Sequence, residues 1–245
     1  VEGKRMLAEE IKVTLELFRR NTETQFITFK KCFMTDEILA QLAAGLKGLR
    51  HVKKLNLTQN ALTRESTNLL IEIFSNASRK LQSLDMRENL INEEDSRLLY
   101  YAFQTIHQLN GVNLAVLKND SEDRKYNLSD KGMTITEISV VCCVLKRYLY
   151  LEDLDISKNL VTSECLEMLA ATLLDLRNIK RITLNHNPLT NSGQDMTGIK
   201  AIMNMLRENK SILYVSLEGG KVPAMLAQNI ERSLMVNRCI ASSVQ

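Results

Sequence analysis

The side chains that could do chemistry in this 245-residue chain are few and scattered. Its three histidines, His51, His107 and His186, lie far apart, and none sits beside a Cys, Asp or Glu cluster at metal-ligand spacing. Acid–base or zinc chemistry needs such groups within reach of one another, as in the HExxH pair on one helix face. The five cysteines, Cys32, Cys142, Cys143, Cys165 and Cys239, include no CxxC. An odd number without a pattern reads as free thiols in a reducing compartment. No phosphate-cradling GxxxxGK, no dinucleotide GxGxxG and no GxSxG nucleophile elbow occurs. Acidic neighbours such as Glu93 and Glu94 are ordinary solvated helix charges. The expectation is a non-enzyme, with no catalytic residue, no cofactor and no metal site.

Composition narrows the class further. Hydrophobic residues make up 44% and charged residues 25%, as in a folded domain rather than a disordered chain. Nine Gly and two Pro are spread out, so no flexible or polyproline spacer divides the chain. Trp is absent and aromatics reach only 5%, which leaves the core to aliphatic packing. A net charge of +3 gives no concentrated basic excess and argues against nucleic acid as the partner. No apolar run is long enough for a membrane span, and the charged stretch from Val1 to Glu10 lacks a signal-peptide core. A chain opening on Val rather than Met reads as a piece of something longer. Asn-x-Ser/Thr sequons at Asn56, Asn76, Asn119, Asn127 and Asn209 are expected to go unused inside a cell.

The informative signal is an internal period. The segments VKKLNLTQNAL (52–62), LQSLDMRENLI (81–91), LEDLDISKNLV (151–161) and IKRITLNHNPL (179–189) share one frame, LxxLxLxxNxL, allowing conservative swaps at its apolar positions. A weaker copy at 24–34 has Cys32 in the Asn position, and another at 212–222 has Gly220 there. With a further start at 109, four of six intervals are 28 or 29 residues. Six residues before each start stands a large apolar side chain: Phe18, Leu46, Phe103, Leu145, Leu173 and Leu206, with Phe74 one place off. A second apolar column, Leu42, Leu99, Val141, Leu169 and Ile202, lies four residues earlier. That spacing marks an amphipathic helix. Each unit is therefore a strand, a turn and a helix. The motif Asn is expected to bond turn backbone groups and to repeat as a ladder from coil to coil. One coil cannot bury its own apolar face, so stacking must supply the core.

The pattern resembles the ribonuclease-inhibitor-like class of leucine-rich repeats, over nearly the whole chain. That resemblance implies an α/β horseshoe solenoid of about seven strand–helix coils, with a parallel sheet on the concave face and helices on the convex face. It also implies an intracellular location. The class spans enzyme inhibitors, Ran-type GTPase activators, tropomodulin-like actin cappers, immune receptor tails and ciliary scaffolds, so it does not by itself name a function. The first expectation is a non-catalytic module binding another protein, as a scaffold or the recognition arm of a larger protein. The alternatives are a regulator of a small GTPase or a tropomodulin-like cytoskeletal or ciliary component.

The binding surface follows from strand alternation. Motif positions 3, 5 and 7 point away from the core, and seven strands at about 4.8 Å spacing make a face roughly 30 Å wide. On it the candidate protein-binding residues are Lys30, Lys54, Asn56, Asp85, Arg87, Asp153, Asp155, Arg181, Asn185, Tyr214 and Glu218. Lys30, Lys31, Lys53 and Lys54 make its start basic, while Asp85, Glu88, Asp153 and Asp155 make its middle acidic. The competing reading is a solvated polar face without a partner. At 109–114, LNGVNL reads as an ordinary strand. Residues 115–130 then break the period, as an insertion of 14 residues that aligns Leu114 with Leu128. The whole is expected to form one domain: a half repeat at 1–23, repeats at 24–222, and a capping helix and tail at 223–245.

Overall fold

The structure, a computed structural model, describes residues 1–75, 81–103, 106–115, 124–148 and 150–243. Asn76, Asn119 and half of the expected insertion (116–123 of 115–130) lie outside the described residues. The chain forms two compact units, Val1–Ala115 and Val116–Gln245.

The first unit runs α1 (Ala8–Arg20), β1 (Phe26–Thr28), α2 (Asp36–Gly48), β2 (Lys54–Asn56), α3 (Arg64–Phe74), β3 (Ser83–Asp85), α4 (Glu93–Ala102), β4 (Gln108–Leu109) and β5 (Val112–Asn113). Strands β1 to β4 pair in parallel in chain order, and β5 turns back antiparallel on β4. The second unit runs β6 (Lys125–Asn127), α5 (Ile135–Leu145), β7 (Asp153–Asp155), α6 (Ser163–Leu173), β8 (Arg181–Thr183), α7 (Thr197–Glu208), β9 (Tyr214–Ser216) and α8 (Ala224–Ser243). Its four strands are parallel, again in chain order. In each unit, strand and helix alternate because apolar period two gives way to period 3.6 once per repeat.

Both apolar columns are buried as their spacing predicts. Leu42 and Leu46 in α2, Leu169 and Leu173 in α6, and Ile202 and Leu206 in α7 are at most 1% exposed. On the strands the frame's two inward positions, such as Leu55 and Leu57 or Leu154 and Ile156, are equally enclosed. Helix α1 packs on α2 through Ile11, Thr14 and Phe18 with no strand before it among residues 1–7, while residues 1–3 lie along the strand that follows, by a Glu2–Lys30 bridge. At the other end, Ile230 and Leu234 of α8 are 4% and 2% exposed.

Two expectations need correction. LNGVNL is not one strand: Asn110 and Gly111 take φ of 50° and 77°, and the chain doubles back so that Leu109 faces Val112. Asn-Gly is the pair that a two-residue primed turn favours, because both residues must adopt positive φ. The partner of Ser83 is therefore Gln108, three residues earlier than the extrapolated period places it. Nor is the whole of 115–130 a break in the period. Lys125–Asn127 is itself a full strand, with Tyr126 opposite Leu154 and 3% exposed. Tyr in a Leu position and Lys131 in the Asn position hide that coil.

A further regularity lies in the turns. Motif position 8 is left-handed in coil after coil: Lys31, Gln59 and Glu88 in the first unit, and Asp130, Lys158 and His186 in the second, all have φ between 54° and 58°. Gly219 takes that place after β9, with φ 75°. For a residue with a Cβ this conformation costs on the order of 1–2 kcal/mol. Lys158 is exposed and holds no ion pair among those described, so Lys158→Gly should raise stability by about 0.5–1 kcal/mol after the added freedom of the unfolded chain is subtracted. Chemical denaturation measures this, and a lower midpoint would show that the left-handed turn carries no strain.

Candidate protein-binding faces

The motif asparagines build the platform on which exposed residues stand. Asn60 Nδ2 donates to the carbonyls of Phe29, Leu57 and Thr58 at 2.7, 2.9 and 3.1 Å. Its Oδ1 accepts from Cys32 N and Met34 N in the preceding coil. Asn89, Asn159 and Asn187 repeat the arrangement. Where Cys32 replaces Asn, its thiol donates weakly to the carbonyls of Val1 and Lys30 at 3.4 and 3.3 Å. Within each unit the ladder aligns successive strand ends, so the exposed positions fall into rows.

In the first unit the leading row is Phe26, Lys54, Ser83 and Gln108, and the next is Thr28, Asn56 and Asp85. Lys54 Nζ lies 5.6 Å from the Phe26 ring centre, a cation–π distance. Lys30 pairs with Glu2 at 3.0 Å. Arg87, just past β3, folds back onto Asp85 at the end of that strand at 2.7 Å. The structure thus brings Lys54, Asn56 and Asp85 onto one sheet, with Lys30 and Arg87 just past its strand ends.

In the second unit the leading row is Lys125, Asp153, Arg181 and Tyr214, followed by Asn127, Asp155, Thr183 and Ser216. Arg181 bridges its neighbours, with Nε 3.6 Å from Asp153 Oδ2 and its guanidinium 4.7 Å from the Tyr214 ring centre. At the strand starts Glu152 sits between Arg124 and Lys180. Hydrogen bonding from Lys180 outweighs the upward push of its partial burial and, with Arg124, holds its carboxyl below the usual range. Asp153, Asp155, Arg181, Asn185, Tyr214 and Glu218 all lie on this unit. Of the acidic residues expected in the middle, Asp153 is compensated by Arg181 and Asp85 by Arg87. Lys125 is a face residue that the frame misses, and KYNLSD carries it only if Tyr is accepted in a Leu place.

Several candidate residues also have structural work. Asn56 Oδ1 accepts from Thr58 N and Oγ1, Asp155 Oδ1 from Ser157 N, and Asp85 Oδ1 from Arg87 N. Position 5 thus closes an Asx turn at each of these strand ends, the local bonding that Asn and Asp side chains favour. Asn185 Oδ1 accepts from Ser216 Oγ at 2.7 Å and Glu218 N at 2.9 Å, tying β9 to the coil before it. The residues freest to meet a partner are Lys54 and Phe26 on one unit, and Lys125 and Tyr214 on the other.

A second ladder has no sequence signal. Asn209, after α7, donates to the carbonyls of Leu173 and Leu176 at 2.6 and 2.7 Å, closing the end of α6. Asn237 of α8 donates to those of Asn209 and Ile212 at 3.2 and 2.9 Å. Asn209 is 0% exposed, so its sequon is closed to a glycan in the folded chain.

Burial keeps most of the thiols from acting as nucleophiles, Cys239 being the exposed one. Four of the five cysteines are buried; desolvation pushes the Cys142 thiol up to about 11 and raises Cys32 and Cys165 as well. Among the described residues no group of three or more His, Cys, Asp or Glu could hold a metal ion, and no helix is long and apolar enough to cross a membrane.

No protein-family model matches this sequence, and no curated protein does. Among solved structures the chain is similar to actin-binding site 2 of leiomodin-1, at 12% identity over 97% of this chain and 94% of that one, with a TM-score of 0.37. It is similar to the tropomodulin C-terminal domain of Caenorhabditis elegans, at 12% identity over 95% of this chain and 96% of that one, TM-score 0.34. It is also similar to TLR13 in its complex with ssRNA13, at 14% identity over 83% of this chain and 37% of that one, TM-score 0.33. Overlaps this loose carry no argument about what the chain binds. The repeat architecture rests on its own register, burial and asparagine ladder.

Proposed function

We propose that the chain is a non-catalytic protein-binding module of leucine-rich repeats, of the ribonuclease-inhibitor-like kind, which meets its partner with the exposed faces of its strands. The observation that carries this reading is the pair of registered rows, in which cationic, acidic and aromatic side chains stand side by side on short parallel strands. Tyr and Arg are the side chains that most often anchor protein interfaces, and Arg181 stacked on Tyr214 joins the two. The reading places the protein inside cells, as a scaffold or recognition arm. A partner captured from the native source supplies the test. Tyr214→Ala and Lys125→Glu should each weaken its binding about tenfold or more, the effect expected of an interface anchor, with unchanged melting because Tyr214 is 42% exposed and Lys125 is exposed. If instead Glu164→Lys or Glu167→Lys, on the outer side of α6, abolishes binding while the strand variants do not, the interface is helical and the proposal fails.

A further inference from the structure

Resting on the strand-face reading, we infer that the face of β1 and β2, with the turn after β1, binds an acidic segment of a partner protein that carries large apolar side chains. Three independent features of the first unit converge there. The chain has six phenylalanines; Phe18, Phe29, Phe74 and Phe103 are buried, and the two exposed ones, Phe26 and Phe33, each 62% exposed, stand seven residues apart on the same coil. A Phe ring left in water forgoes the gain of apolar burial, so two on one coil form a patch ready for apolar contact.

Backbone strain marks the same place. Phe33 holds φ 53°, a left-handed conformation rarely taken by a bulky residue, two positions after Lys31 at φ 54°. Its ring is thereby kept on the outside, on the wall of a cleft of about 300 Å³ that it shares with Lys31, Gln59 and Glu88. Strain of this kind persists only where the surroundings over-determine it, and it gathers at binding sites.

Charge then selects the occupant. Lys31, Lys53 and Lys54 have no carboxylate partner among the described residues, whereas Asp85 is held by Arg87 and Asp153 by Arg181. On the first unit's face the cations without a carboxylate therefore gather on the coil that carries the exposed phenylalanines and on the coil beside it. A phosphodiester strand fits less well. It carries a charge at every step and would lay some of them over Asp85 and Glu88. A polypeptide can alternate carboxylates with apolar side chains and so match both the lysines and the rings.

The test uses the full chain and a fluorescein-labelled synthetic peptide in which Glu alternates with Phe and Leu, read by fluorescence anisotropy. Lys54→Glu and Phe33→Gly should each weaken binding about tenfold or more, and added salt should weaken it further because screening acts over about 10 Å at 0.1 M. Phe33→Gly should melt at or above the parent temperature, because Gly adopts positive φ without strain. A merely structural Phe33 would give the opposite sign. The inference is overturned if the peptide does not bind, if a Lys-for-Glu version binds equally well, or if either variant binds like the parent. It is overturned too if an oligonucleotide or a phosphatidylserine vesicle competes at these residues more tightly than the peptide. A native partner lost on Tyr214→Ala but kept on Lys54→Glu and Phe33→Gly would leave the strand-face reading standing and remove this one.

Discussion

Asn159→Ala is expected to unfold the second unit at markedly lower denaturant. Asn159 is 4% exposed, and its Nδ2 donates to the carbonyls of Leu128, Ile156 and Ser157 at 2.9, 3.0 and 3.2 Å. Its Oδ1 accepts from Lys131 N and Met133 N at 2.9 and 3.1 Å. Alanine cannot replace any of these, and water reaches the site poorly. Each buried polar group left unpaired costs about 1–3 kcal/mol, and partial relaxation of the turn recovers some, so a loss of about 3–5 kcal/mol is expected. The control is Asn127→Ala. Asn127 is exposed, and the Ser129 N–H it holds can turn to water, so the change should stay within about 1 kcal/mol. Equal losses for the two would mean that the ladder does not hold the coils in register.

Gly198→Ala should damage the same unit by a different route. Gly198 begins α7 at its closest approach to α6, where its N–H donates to Ser163 Oγ at 2.8 Å. An added Cβ would lie 2.3 Å from the carbonyl oxygen of Ser163 and 2.7 Å from Leu166 Cβ. Neither is the mobile end of a flexible chain, so one helix must move and the hydrogen bond must open. Overpacking a close contact costs about 1–3 kcal/mol, and the lost bond brings the expected total to about 3 kcal/mol or more. Gly48 at the end of α2 gives the contrast. A methyl group on Gly48 would meet nothing within 4 Å, so Gly48→Ala should stabilise by up to about 1 kcal/mol. Urea midpoints of both variants decide the matter. A Gly198→Ala protein as stable as its parent would show that α6 and α7 are not held at this distance.

The sequence by itself determined the elements and their period. The helix columns and the two inward strand positions are each dictated by one residue's own burial, repeated every 28 or 29 positions, so the interior places of Leu42, Leu46, Leu169 and Leu173 follow from spacing alone. The motif asparagines are legible for the same reason: a buried amide must find partners, and the turn backbone supplies them. Spacing misleads where a local signal competes with the period. Asn110-Gly111 demands a turn in the middle of an extrapolated strand, and Tyr126 fills an apolar place without looking like Leu.

What only the tertiary structure decided was who stands beside whom. Asp153 looks like a free acid until the sheet sets Arg181 beside it and Arg181 against Tyr214. Asn209 and Asn237 become a second ladder only because helix ends from successive coils meet at them. Gly198 is required by the nearness of Ser163, a residue 35 positions away. Period and burial are properties of each repeat, but charge compensation, close approach and left-handed strain belong to neighbours that the stacking of repeats brings together.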